Sequence, residues 1–239
     1  MKTTYVLVHG AFAGQYAWNV LKPLLEQSGH TVLTLDLPGH GEDQTPISQI
    51  SLDSYVSAVV NLINTQSANV TLVGHSMAGM VISGVAEQLP HKIDKLVYLS
   101  AYLPDDGQSL QDFAATDGQS LIGPNLKLAA DYSTATLPND VALQVFAADC
   151  PPESKDLVTA KARPEPLAPF ANKLKLTAEN FGTVPKYYIE TLNDQGVGTA
   201  LQEKMIATNG TVKQVFKLDS SHSPYWAKPA ELASILTSL

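Results

Sequence analysis

The chain has 239 residues, 44% of them hydrophobic, enough to bury roughly 70–75% of its unfolded surface without disulfides or metal. Its 15 basic and 23 acidic residues leave a net charge of -8, and no Lys/Arg cluster is long enough to follow a phosphate backbone, which argues against a nucleic-acid partner. The single cysteine, Cys150, can form no internal disulfide, no Cys/His spacing matches a zinc site, and no apolar run approaches the ~20 residues of a membrane helix.

Met1-Lys2-Thr3-Thr4 runs straight into a first expected strand at 5–8, too short for a signal-peptide core, so a cytoplasmic location is expected. A Gly-containing loop, His9-Gly10-Ala11-Phe12-Ala13-Gly14, and a helix at 17–28 follow. Short β-branched runs then alternate with helical-period segments: strand 31–35, helix 52–66, strand 70–73, helix 77–89, strand 95–99. This is the rhythm of βα units on a parallel sheet. Between Leu103 and Val184 the rhythm fails in an Ala-, Leu-, Asp- and Pro-rich stretch that includes Cys150-Pro151-Pro152 and Arg163-Pro164-Glu165-Pro166. A mainly helical insertion is expected there, placed after the fourth strand and over the carboxyl ends of the sheet, where ligands bind in such folds. Strand 186–190, helix 199–208, strand 212–218 and helix 229–239 complete the pattern. The expected organisation is a core of residues 1–102 and 184–239 with a cap, or lid, at 103–183.

The run Val70-Thr71-Leu72-Val73-Gly74-His75-Ser76-Met77-Ala78-Gly79 sets Gly-x-Ser-x-Gly between a strand and an apolar helix. That context marks Ser76 as a nucleophile on a tight strand-to-helix turn, with Gly74 and Gly79 removing Cβ atoms that would crowd it. A serine hydroxyl needs a base, and the base needs a third group to orient it. Of the six histidines, His222 alone follows a late strand in the expected order, in Leu218-Asp219-Ser220-Ser221-His222. Asp194, after the preceding strand in Leu192-Asn193-Asp194, is the acid, with Asp105 and Asp106 as rivals and Asp219 too near His222. The oxyanion hole should use the backbone N–H of Ala11 or Phe12 from the first loop and that of Met77. His9 and His75 read as backbone supports, and His40 as a shaper of its loop.

These residues together resemble the α/β-hydrolase superfamily, and within it the plant methylesterase and hydroxynitrile lyase group with its bacterial esterase relatives. The likeness extends nearly end to end, through Val8-His9-Gly10-Ala11, Gly74-His75-Ser76, Ser100-Ala101-Tyr102-Leu103-Pro104-Asp105, Arg163-Pro164, Asn193-Asp194 and Asp219 to His222. It implies a mostly parallel six-stranded sheet flanked by helices, a helical cap after the fourth strand, and Ser76, Asp194 and His222 as a triad with Ala11 and Met77 at the oxyanion hole. One branch of the lyases has Thr where this chain has Ala11 and Lys where it has Ser223, so the likeness favours ester hydrolysis. Tyr102 matches a pocket-lining aromatic of the family. Phe12, Phe146, Phe170, Tyr225 and Trp226 are further candidates for the pocket.

The resulting expectation is a cofactor-free and metal-free serine carboxylesterase acting on small, largely apolar esters, aromatic or methyl esters among them. Cyanohydrin cleavage by the same triad is one alternative, and a hydrolase-like small-ligand binding protein with little turnover is another. Self-association as a homodimer stays open.

Overall fold

The computed structural model describes residues 2–239. Strand β1 (Thr4–Val8) leads through a short 3-10 turn (Gln15–Trp18) to α1 (Leu21–Gln27), β2 (Thr31–Thr34), α2 (Leu52–Asn64), β3 (Val70–His75), α3 (Ala78–Gln88) and β4 (Ile93–Leu99). The excursion that follows holds α4 (Leu110–Ala114), α5 (Ile122–Asn125), β5 (Lys127–Leu128), β6 (Thr134–Thr136), α6 (Asn139–Phe146), α7 (Pro152–Ala160), β7 (Glu165–Pro166) and α8 (Ala168–Ala171). The chain then returns to β8 (Lys186–Thr191), α9 (Thr199–Asn209), β9 (Val212–Leu218), α10 (Pro224–Ala227) and α11 (Pro229–Ser238).

The main sheet has the order β2-β1-β3-β4-β8-β9, and every neighbouring pair in it is parallel. Alternation along its strands divides the core into two layers. Val6, Val8, Leu72, Leu96, Tyr98 and Tyr188 face one layer. Tyr5, Leu7, Val73, Val97, Leu99 and Ile189 face the other, as the period of two along a strand requires. Both faces are covered, which is why the central strands read as continuous apolar runs. α2 buries Leu52, Tyr55, Val56, Val59 and Ile63, a stripe at spacings of three and four. Ser51 begins this helix with a reciprocal cap, its hydroxyl accepting from Ser54 N–H at 3.1 Å while the Ser54 hydroxyl accepts from Ser51 N–H at 3.0 Å. α3 is buried from Ala78 through Ala86 because it lies between the sheet and α2.

The strand order reverses between β1 and β3, since β1 continues to β2 on one side and the later strands add on the other. Open α/β sheets bind ligands at such a switch point, beyond the carboxyl ends of the strands. The loop after β1 and the turn after β3 both end there.

One expectation needs correction. The helix at 17–28 is a 3-10 turn and a shorter α1, with Asn19 and Val20 between them. Within residues 103–183 the helices are joined by a few short strands. β5, β6 and β7 form a small antiparallel sheet whose strands, two or three residues long, carry too little sequence to show a period. No helix among the described residues is long and apolar enough to cross a membrane.

Candidate active site

Ser76 occupies the turn from β3 into α3 with φ 55°, a left-handed conformation that is costly for a residue with a Cβ. Its surroundings hold it there. Its N–H donates to the Leu99 carbonyl at 3.2 Å, and its carbonyl accepts from Gly79 N–H and Tyr102 N–H at 3.1 Å each. A Cβ at Gly79 would overlap the Tyr102 carbonyl oxygen, and one at Gly74 would lie 2.7 Å from the Ala78 carbonyl oxygen. The turn therefore packs only with glycine at both ends of the motif.

His222 lies in the loop after β9, completely buried. Its Nδ1–H donates to Asp194 Oδ2 at 2.8 Å, whereas Nε2 has no partner among the described residues. Asp194, in the loop after β8, is filled with donors. Oδ1 accepts from Gly196 N–H at 2.7 Å and Val197 N–H at 2.9 Å, and Oδ2 also accepts from the Thr191 hydroxyl at 2.6 Å. Gln202, from α9, supports the same carboxylate oxygen at 3.4 Å. The histidine loop is tied to the nucleophile turn as well: His75 Nε2–H donates to the His222 carbonyl at 2.7 Å, and the two rings lie 4.5 Å apart. Burial, and then the nearby His222, hold His75 well below the usual histidine range, so it stays neutral.

The competing carboxylates are occupied elsewhere. Asp105 accepts from Asn209, Asp106 caps Leu176 N–H, and Asp219 accepts from Asn193. His9 supports backbone on both sides of its ring, donating from Nδ1 to the Gly10 carbonyl at 2.8 Å and accepting Leu37 N–H on Nε2 at 3.0 Å. Burial, and then the charge on His40, depress it to about 3.

Above Ser76 lies a cleft of roughly 550 Å³, continuous with solvent, lined by Ala11, Met77, Tyr102 and Phe170 together with side chains of α4 and α5. Most of its lining is apolar, with Asp117 and Ser120 among the few polar groups. Among the described residues, neither Ala11 N–H nor Met77 N–H donates a hydrogen bond, and both residues border the cleft. Phe12 N–H is different. It donates to Glu165 Oε2 at 2.5 Å and is not available to a substrate oxygen, so of the two first-loop amides only that of Ala11 is unpaired.

Phe12, Tyr102 and Phe170 border the cleft, but Phe146, Tyr225 and Trp226 do not. Those three line a small adjoining cavity together with Phe12 and His75. The Phe12 and Phe146 rings are 5.9 Å apart, and Phe146 lies 5.8 Å from His222. Sequence reasoning also missed Glu165, Thr191, Gln202 and Asp149. Asp149 accepts the N–H of Ser221 at 2.7 Å, next to His222, and also its hydroxyl. The Asp149 and Glu165 contacts span 72 and 153 residues, a separation that leaves no local signal. Cys150 is a packed thiol whose pKa burial, and then Asp149, push up to about 12. Among the described residues, no group of three His, Cys, Asp or Glu side chains could hold a metal ion.

The model of the alpha/beta hydrolase family matches residues 5–235, and the chain belongs to that family. It is 30% identical to salicylic acid-binding protein 2 of Nicotiana tabacum over 97% of this chain and 95% of that protein. Methylesterase 8 of Arabidopsis thaliana is 31% identical over 100% of this chain and 90% of its own length. A chloroplastic Arabidopsis relative is 33% identical but longer, and this chain spans 62% of it. Polyneuridine aldehyde esterase has the same fold, with a TM-score of 0.89 at 24% identity over 100% of this chain and 99% of that one.

Proposed function

We propose that the protein is a serine carboxylesterase for small, largely apolar esters, aromatic or methyl esters among them. The observation that carries this reading is the arrangement at the switch point: Ser76 at φ 55° beneath an apolar cleft, with a buried His222 oriented by Asp194 and unpaired at Nε2. The names of the methylesterase relatives support the ester class.

In this mechanism Ser76 Oγ attacks the ester carbonyl while His222 Nε2 takes its proton. Ala11 N–H and Met77 N–H stabilise the oxyanion, and they do so without reorganising because neither amide has another partner among the described residues. His222 then protonates the departing alcohol. It next activates the water that frees the acid from Ser76. Asp194 fixes the imidazole tautomer and stabilises the imidazolium formed at each transfer. Residues 103–183 act as the lid, since α4, α5 and α8 supply the roof of the cleft.

The test is turnover of methyl and p-nitrophenyl esters of graded acyl size by the wild type and Ser76→Ala, with mandelonitrile as a parallel substrate. Ester turnover that is lost in the variant is expected. Cyanide release without ester turnover would replace this reading with the lyase one. Tight binding of a small aromatic acid with no turnover of either class would replace it with a binding protein, a reading favoured by the name of the tobacco relative.

A further inference from the structure

Glu165 belongs to β7 in the excursion between β4 and β8, and it is buried with only 1% of its surface exposed. Its Oε2 accepts Phe12 N–H at 2.5 Å, and its two carboxylate oxygens lie 3.1 and 3.0 Å from His40 Nε2. His40, itself 3% exposed, points its other ring nitrogen at the Pro38 carbonyl at 3.2 Å. Both nitrogens thus face oxygens that can only accept, an arrangement that a doubly protonated ring satisfies in full. Phe12 has φ 56° and follows Ala11 directly, so the peptide between them must be held against its own preference.

We propose that Glu165 is a positioning residue for the oxyanion hole: its carboxylate fixes the Ala11–Phe12 peptide, and His40 neutralises it. The inference rests on the esterase reading above and extends it to a residue outside the candidate triad. A lone carboxylate beside the place where the oxyanion forms would oppose catalysis, so the contact is useful only while His40 carries its proton. Every charged or titratable neighbour of His40 bears on that proton. Burial and Arg163 oppose it, the buried Glu165 favours it strongly enough to raise the pKa above the usual histidine range, and Tyr55 packs its ring edge-on at 5.5 Å. His9, 5.0 Å away, is held neutral by burial and by this charge. As the pH rises through the raised value, the ion pair is lost and kcat should fall.

Glu165→Leu removes the acceptor, and we expect kcat to fall on the order of 10–100-fold with KM within about twofold, the signature of a displaced donor. Glu165→Gln can still accept Phe12 N–H and donate to neutral His40. It should recover most of kcat and abolish the alkaline decline. His40→Gln leaves the carboxylate uncompensated, so its kcat should be low at neutral pH with the same decline missing. Should Glu165→Leu not fold, the pH profiles of Glu165→Gln and His40→Gln decide alone. A folded Glu165→Leu enzyme with wild-type kcat, or a Glu165→Gln enzyme that keeps the alkaline decline, would overturn the proposal. If the wild type hydrolyses no ester, the esterase reading fails, and the contact is judged by NMR. The Phe12 amide proton should be strongly downfield and move upfield in Glu165→Leu, and an unmoved resonance would refute the contact itself.

Discussion

Asp194 accepts from two backbone N–H groups, a hydroxyl, the Gln202 amide and His222. Asp194→Asn keeps the size but places an NH2 among donors, where it must either lose a backbone bond or face the imidazole with a hydrogen. The imidazole then turns to the wrong tautomer. Esterase kcat should fall by about 10⁴-fold with little change in KM, and steady-state kinetics on the folded variant would show it. The pairing of His222 with Asp194, and the placing of Ser76 on the turn after β3, are legible in the sequence because each residue stands at a fixed place relative to a strand end. The engagement of the Phe12 amide is not, because its partner, Glu165, lies 153 residues away in a Pro-rich run with no periodicity.

The elements that position these residues depend on a few long-range ties. The link between α6 and α7 reaches back through Asp149 to Ser221, so a segment of the excursion holds the loop that carries His222. Asp149→Ala leaves Ser221 N–H without its acceptor. We expect a loss of about 1 kcal/mol of stability, read from a urea midpoint, and a fall in kcat larger than any rise in KM. An unchanged kcat would show that the loop holds itself. The strands of the main sheet are legible because burial on both faces demands unbroken β-branched and aliphatic runs, as in β3, where all six residues are buried. α2 is legible through its stripe and its serine cap. The break after Trp18 is not, since Asn19 and Val20 carry no Gly or Pro signal. β5 to β7 are too short to have a signal of their own.

Across the whole molecule, two buried neutral histidines set the response to acid. In the folded protein His9 has its pKa lowered to about 3 and His75 well below its ordinary value, whereas both take up protons near 6.5 once unfolded. Between those limits the unfolded state binds more protons, so stability rises with pH, or equally is lost as pH falls below 6.5. Each histidine contributes up to about 1.4 kcal/mol per pH unit in that window. His40 has the opposite sign, its contribution being complete below 6.5 and lost as the pH rises through its raised value. Urea midpoints measured between pH 7 and pH 4 should drop steeply, and His9→Asn should flatten the slope. Which apolar side chains of residues 103–183 face the cleft is not legible in the sequence: Phe170 borders it and Phe146 does not, a difference set by packing between distant segments.

Covalent chemistry at Ser76 is the step on which every prediction about catalysis depends. It is tested by intact-mass analysis of the protein quenched within the first turnovers of a p-nitrophenyl ester, followed by peptide mapping. A single acyl group on Ser76, absent from Ser76→Ala and decaying at the rate of acid release, is the result expected. Acid released at an undiminished rate by Ser76→Ala, with no acyl group on the wild-type chain, would contradict it.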